Sequence, residues 1–228
     1  MKIVFNHKFG QQEQNDIQYT PVKAVDVSKH EYDEMLDSGW LGHIIDGELE
    51  WYQSRSVRCC LDDTTYTQYP TERYKVAQTP TLVDLEHIYT SYCFHKGFDD
   101  LYQREVVNWL SNDICMEYYN LKSELVAWSK LRSYTPTSLE TVIFAWDYRD
   151  PKLQIGINSL KHELSWAKAA GYKYAYIGPG YEEGCIYKSK LEGFEWWTGS
   201  AWSSDIDEYV SLCKRDSSIS DISALARL

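Results

Sequence analysis

The chain has 228 residues, 43% apolar and 15% aromatic, with 34 acidic against 23 basic side chains and a net charge of −11. That length allows one large domain or two small ones with a true core. The acidic balance argues against a general nucleic-acid binder, whose phosphate contacts need a basic face, and leaves open a short nucleic-acid end met by a local patch. No apolar run reaches the length of a membrane span, and the opening MKIVFNHKFGQQEQND lacks a signal-peptide core. A cytoplasmic protein without a membrane partner is therefore expected, its six cysteines carried as thiols. Cys59 and Cys60 are adjacent but have no Cys-x-x-Cys partner, so no metal is assigned.

Residues 2–5 predict a short strand. Ser28-Lys29-His30-Glu31 reads as a capping box, in which the Ser oxygen and Glu carboxylate satisfy exposed amides at a helix start. The helix carries Tyr32, Met35 and Leu36 and stops at Gly39. A hairpin is expected over 44–58 around Asp46-Gly47, then a polar loop or weak strand over 62–80. A second helix follows from Thr81 on a Leu82, Leu85, Tyr89, Tyr92 spacing and ends at Gly97. Helical structure is also expected from Leu101 to about Cys115.

From Tyr118 the apolar period changes to alternation. Leu125, Ala127, Ser129 and Leu131 share one strand face, Thr135-Pro136-Thr137 turns the chain, and Val142, Phe144, Trp146 and Tyr148 alternate on the next strand. Asp150-Pro151 breaks that strand. A helix from about Asn158 to Gly171 leads into a strand bearing Tyr172, Tyr174 and Tyr176. The acidic clusters at 46–50 and 205–208 read as solvated surface, and the Ser-rich residues from Asp216 onward are expected to fray.

A strand, a glycine-bearing loop and a helix in that order aim free amides and the helix dipole at an anionic group. Gln154-Ile155-Gly156-Ile157-Asn158-Ser159 is this loop. It is similar to the Gln/Arg-x-x-Gly-x-Gly/Ala loop that holds coenzyme A in GNAT acetyltransferases, with Asn158 and Ser159 standing where small residues are usual.

Five words in order carry a broader resemblance: Tyr148-Arg149-Asp150-Pro151, the 153–159 loop, Glu163, Tyr174-Ala175-Tyr176-Ile177-Gly178 and Tyr187-Lys188. Together they resemble the C-terminal half of the arginyl-tRNA–protein transferase family. The helix ending in Gly39-Trp40, and Tyr52 ahead of Cys59-Cys60, are similar to its N-terminal part. Leu41-Gly42-His43-Ile44 replaces the family's Arg-Arg-Ser-Gly, and its N-terminal Cys-x-x-Cys is absent.

The resemblance implies an α+β, GNAT-like mixed sheet flanked by helices, divided into an N-terminal α/β region over 1–80 and a transferase core over 81–228. It implies transfer of an amino acid, arginine by resemblance, from the acceptor end of an aminoacyl-tRNA to a peptide N-terminus or small amine, with no cofactor. Tyr148, Tyr176 and Glu163 become the catalytic candidates. Gln154, Gly156, Asn158, Ser159 and Trp146 become the donor-binding ones, and Arg55, Arg58, Tyr187 and Lys188 the acceptor-binding ones. Trp196 and Trp197 are candidates to stack on adenine or to pack the core. Two other readings stay open: a coenzyme A-dependent GNAT N-acyltransferase, and a non-catalytic binding protein of the same fold.

Overall fold

The structure, a computed structural model, describes residues 1–5, 12–13, 16–17, 22–45, 47–53, 55–66, 74–97, 113–147 and 155–217. The chain forms two compact units, one of Met1–Thr64 with Tyr176–Leu228 and the other of Thr65–Ala175.

The first unit begins with β1 (Lys2–Phe5), the short pair β2 (Gln12–Glu13) and β3 (Asp16–Ile17), and β4 (Val22–Val25). Ser28 then donates its backbone N–H and its hydroxyl to the Glu31 carboxylate at 2.9 and 2.6 Å. This closes the expected box on a single 3-10 turn that leads into α1 (Tyr32–Asp37). α1 buries Met35 and Leu36. It stops at Gly39, whose φ of 75° suits glycine and whose missing Cβ leaves room for the Trp197 ring. β5 (Trp40–Ile45) and β6 (Glu48–Gln53) make the expected antiparallel hairpin, turning through Gly47 at φ 84°. These strands lie in the order β1-β4-β6-β5. β7 (Ser56–Cys60) follows, with the Ser56 hydroxyl donating to the Gly39 carbonyl at 2.6 Å.

The second unit is built on the antiparallel run of β8 (Tyr74–Ala77), β9 (Asp113–Tyr119), β10 (Leu125–Thr135) and β11 (Ser138–Trp146). Helix α2 (Leu82–Lys96) lies between β8 and β9 in sequence and ends at Gly97 in the left-handed conformation, as its spacing predicts. α2 packs Leu85, Ile88, Tyr89 and Cys93 on Cys115, Trp128 and Ala145, and the Trp128 indole donates to the Leu85 carbonyl at 3.0 Å.

Side chains alternate across a strand, so Ser129, next to Trp128, points to the opposite face. That face receives α3 (Ile155–Ala169), through Leu164, Ala167 and the polar Glu163. After α3 the N–H groups of Lys173 and Tyr174 both donate to the Thr137 carbonyl, at 2.8 and 3.0 Å. β12 (Tyr174–Pro179) therefore starts beside the start of β11, and α3 lies between the two strands in sequence. The result is the predicted α+β class, a mixed sheet flanked by helices.

One expectation is corrected here. Ile114 and Cys115 belong to strand β9, not to a helix, because β9 has a hydrogen-bonding neighbour on each side and buries both its faces. Residues 101–112 of that expected helix lie outside the described residues.

The chain re-enters the first unit within β12. A 3-10 stretch over Glu183–Lys190, β13 (Phe194–Trp197), β14 (Trp202–Ser203) and α4 (Ile206–Ser217) complete it, with β14, β13, β7 and β12 in that order. α4 is absent from the sequence expectations. Asp205 caps it by accepting the Glu208 N–H at 2.9 Å, so this acidic cluster is partly a helix start. Asp216, expected to fray, is instead buried in the last turn of α4 and ion-paired to Arg55 at 2.6 Å.

Among the described glycines of this unit, Gly193 makes the tightest approach to neighbouring backbone. Its φ is 68°, the Cys60 N–H donates to its carbonyl at 2.7 Å, and an added Cβ would lie 2.2 Å from the Cys60 carbonyl oxygen. Gly193→Ala should therefore lower the unfolding free energy by more than about 2 kcal/mol, read from urea denaturation curves.

Candidate functional site

Within the second unit, α3 exposes Gly156, Ile157 and Asn158 in its first turn and buries Ser159, Glu163, Leu164, Ser165 and Ala167 further along. Helical structure is already present at Ile155, earlier than the expected Asn158, so Gly156 and Asn158 lie in the first turn and not in a loop before it. Both are exposed, and an added Cβ on Gly156 would meet nothing within 4 Å. Neither positive φ nor packing demands glycine here. Ser159 is buried and turns its hydroxyl back to the Gly156 carbonyl at 2.7 Å. Trp146, at the end of β11, is half-buried. Tyr148 and Gln154 lie outside the described residues.

Glu163 sits one helical turn beyond Ser159 and is 2% exposed, so it is not the solvated helix carboxylate that its sequence position allows. Tyr118, from β9, places its hydroxyl 3.4 Å from Glu163 Oε1 and equally far from the Ser159 carbonyl oxygen. Burial pushes the Glu163 carboxyl up to about 8, against the opposing pull of the Ser129 and Tyr118 hydroxyls. Near neutral pH it is mostly an uncharged acid. The Tyr118 phenol is itself held well above its ordinary range, by burial first and then by Glu163. Around this pair stand the rings of Tyr74, Phe144 and His162, at 6.0, 6.0 and 6.3 Å from the Tyr118 ring.

The first unit gathers the remaining candidates. Arg58, on β7, is buried; its Nε donates to Glu195 at 2.7 Å and its Nη1 to the Tyr176 hydroxyl at 3.3 Å and Asp37 at 3.4 Å. Its guanidinium lies 4.0 Å from the centre of the Trp202 ring. Burial disfavours the Arg58 charge, but Tyr176 and Glu195 outweigh that and leave the group more basic than usual. Tyr176 is fully buried.

Arg55 precedes β7 and does not share its strand, and it pairs with buried Asp216. Lys188 donates to the carbonyls of Ile177 and Pro179 at 2.7 and 2.8 Å, bracing the bend at Gly178, where φ is 76°. Tyr187 is the exposed one of the four acceptor candidates, at 45%. Trp196 and Trp197 are buried; the Trp196 indole donates to the Asp205 carbonyl at 2.9 Å. Arg55 and Arg58 thus both meet carboxylates within the unit.

Tyr118 was not among the sequence candidates. The alternation from 118 onward shows that it belongs to a strand, but nothing local marks its contact with a residue 45 positions away. Cys59 and Cys60 are both shifted towards the protonated thiol by burial, Cys59 to about 12. Among the described residues, no group of three or more His, Cys, Asp or Glu side chains is placed to hold a metal ion, and no helix is long and apolar enough to cross a membrane.

These features define an α+β chain with an open helix start and a buried, uncharged carboxyl behind it. No protein-family model matches the sequence, and no curated protein does. Solved structures are similar at low identity. L-PGS from Bacillus licheniformis is 15% identical over 66% of this chain and 52% of its own, with a TM-score of 0.43. The C-terminal domain assigned to lysylphosphatidylglycerol synthetase from Agrobacterium fabrum is 10% identical over 67% and 52%, with a TM-score of 0.39. A GNAT family acetyltransferase from Elizabethkingia anophelis, solved with acetyl-CoA bound, is 20% identical over 51% and 72%, with a TM-score of 0.38. The chain spans about half the length of the first two.

The raised Glu163 carboxyl has a consequence for stability. Its folded value of about 8 lies above its ordinary value of 4.5, so the folded chain binds the proton more tightly than the unfolded chain. The associated stability is complete below about pH 4.5 and is lost as pH rises to about 8. Glu163→Gln, which cannot ionise, should match the parent chain in acid. It should become relatively more stable by on the order of a few kcal/mol by pH 8.5, seen as a flatter pH profile of unfolding free energy.

Proposed function

We propose that the chain is an aminoacyltransferase that moves an amino acid from an aminoacyl-tRNA to an amine, with the first turn of α3 as its donor site. The observation that carries this is the open turn at Gly156. It is exposed and uncrowded at the start of a helix that buries Ser159, Glu163, Leu164, Ser165 and Ala167. The first amides of a helix lack intrahelical partners and favour an anionic group such as the phosphate next to a tRNA 3′ ribose.

The donor in this reading is an activated ester, so the amine nitrogen attacks the ester carbonyl and the ribose oxygen leaves. The protein's task is mainly to align the two and to stabilise the developing oxyanion. Gln154, Gly156, Asn158 and Trp146 are assigned to the donor, and Tyr148 is the proposed hydrogen-bond donor to the oxyanion. Ser159 and Glu163, both buried, shape the turn from behind. Tyr176 serves the Arg58 cluster. Tyr187 and Lys188 remain proposed for the acceptor amine. Arginine as the transferred group, and a peptide N-terminus as acceptor, rest on the sequence resemblance.

An open helix start suits the pyrophosphate of coenzyme A equally well, so a coenzyme A-dependent N-acyltransferase is the second reading. One assay separates them: the chain is incubated with labelled aminoacyl-tRNAs and amine acceptors, and in parallel with labelled acetyl-CoA. Label is expected to move from aminoacyl-tRNA. Transfer from acetyl-CoA alone would overturn the first reading in favour of the second, and transfer from neither would favour a binding protein. Because a Cβ added at Gly156 would meet nothing within 4 Å, Gly156→Val should leave the melting temperature within about 2 °C while lowering transfer on the order of 100-fold.

A further inference from the structure

Tyr118 is 3% exposed, and its hydroxyl stands 3.4 Å from two acceptors, the Ser159 carbonyl oxygen and Glu163 Oε1. A phenol has one hydrogen to donate, so the two compete for it. The winner matters because Ser159 is tied to the exposed turn by its own hydroxyl, which donates to the Gly156 carbonyl at 2.7 Å. Two contacts in series therefore run from β9 to the open end of α3: Tyr118 to the Ser159 carbonyl, then the Ser159 hydroxyl to Gly156.

We propose that Tyr118 is a positioning residue for the first turn of α3, and that the proton on Glu163 decides whether the Tyr118 hydrogen serves that turn or the carboxyl. An uncharged carboxyl oxygen accepts more weakly than a carboxylate. With Glu163 protonated, the Tyr118 hydroxyl donates to Ser159 and the turn is held against the sheet. Once Glu163 ionises, the carboxylate takes the hydrogen and the turn loosens.

The groups facing Glu163 are consistent with this competition. Tyr118 comes from β9, Ser129 from β10 and Ser159 from α3 itself. Tyr74 from β8, Phe144 from β11 and His162 ring the Tyr118 side. Burial pushes the carboxyl up to about 8, which puts the change within reach of ordinary buffers, while Tyr118 keeps its own proton throughout. The functional consequence rests on the reading of this turn as the donor site; the structural one does not.

Hydrogen exchange tests the proposal without any assay of activity. Protection factors for the amides of residues 159–163, which close the first turns of α3, are measured at pH 6.5 and 9.5 and corrected for intrinsic rates. Amides of α4 serve as the reference. In the parent chain protection should fall about fivefold between the two pH values, the worth of one buried hydrogen bond. Tyr118→Phe, which deletes the hydroxyl alone, should be low at both pH values, and Glu163→Gln should be high at both. Parent-like protection in Tyr118→Phe, or an undiminished pH loss in Glu163→Gln, would overturn the proposal. Binding of an aminoacyl-tRNA acceptor end by the parent chain should weaken with the same pH dependence. No such binding, with the exchange pattern as expected, would refute the donor reading and leave the positioning role of Tyr118 standing.

Discussion

The first unit depends on an antiparallel pairing between β7 and β13, in which Arg58 and Glu195 are direct partners 137 residues apart. Closing so long a loop carries an entropic cost that must be met by what the pair buries. Val57, Cys59, Phe194 and Trp196 supply apolar burial, and Arg58 supplies a constraint of another kind. A guanidinium out of water is tolerated only with its donors matched. Here Glu195, Asp37 and Tyr176 accept from it and the Trp202 ring covers it. The residues that satisfy Arg58 come from α1, β12, β13 and β14, so one buried charge requires those elements to arrive together. Gly193 belongs to the same closure, since only a residue without a Cβ lets the β13 turn reach the Cys60 backbone.

In the second unit the two faces of the strands are organised differently. α2 meets its face with aliphatic and aromatic side chains and one indole hydrogen bond. α3 meets the other with Leu164 and Ala167, but also with Ser159, Glu163 and Ser165. Buried carboxyls are rare without a charged partner, and Glu163 meets the difficulty by keeping its proton. The same helix thus carries an exposed, unobstructed first turn and, one turn later, an uncharged acid hydrogen-bonded to Tyr118.

Much of the fold is legible in the sequence wherever local rules decide. The hairpin at Gly47, the stop of α2 at Gly97 and the alternation through β10 and β11 follow from backbone preferences and apolar period. The reading fails where neighbours decide. Ile114 and Cys115 look compatible with a helix, but β8 and β10 supply hydrogen-bonding partners on both sides. α4 is hard to see because its buried positions are Tyr209, Cys213 and Asp216, one of them a charged residue that is buried by virtue of Arg55. The candidate site divides in the same way. Asn158 and Glu163 lie on the helix after β11 as expected, and Gly156, expected in the loop before it, lies in its first turn, whereas Arg55 and Arg58 look available in sequence and are held by carboxylates from the far end of the chain.

The sequence by itself determined most element types, α4 and the start of β9 excepted, and the order of strand, helix and strand around α3. Covalent geometry gives helices and strands distinct side-chain periods, which survive in a linear reading. Only the tertiary structure decided that Glu163 is uncharged and answers to Tyr118, and that Arg58 is an internal brace. Charge state and hydrogen-bond choice depend on the groups that surround a side chain after burial, and those groups come from segments 45 and 137 residues away.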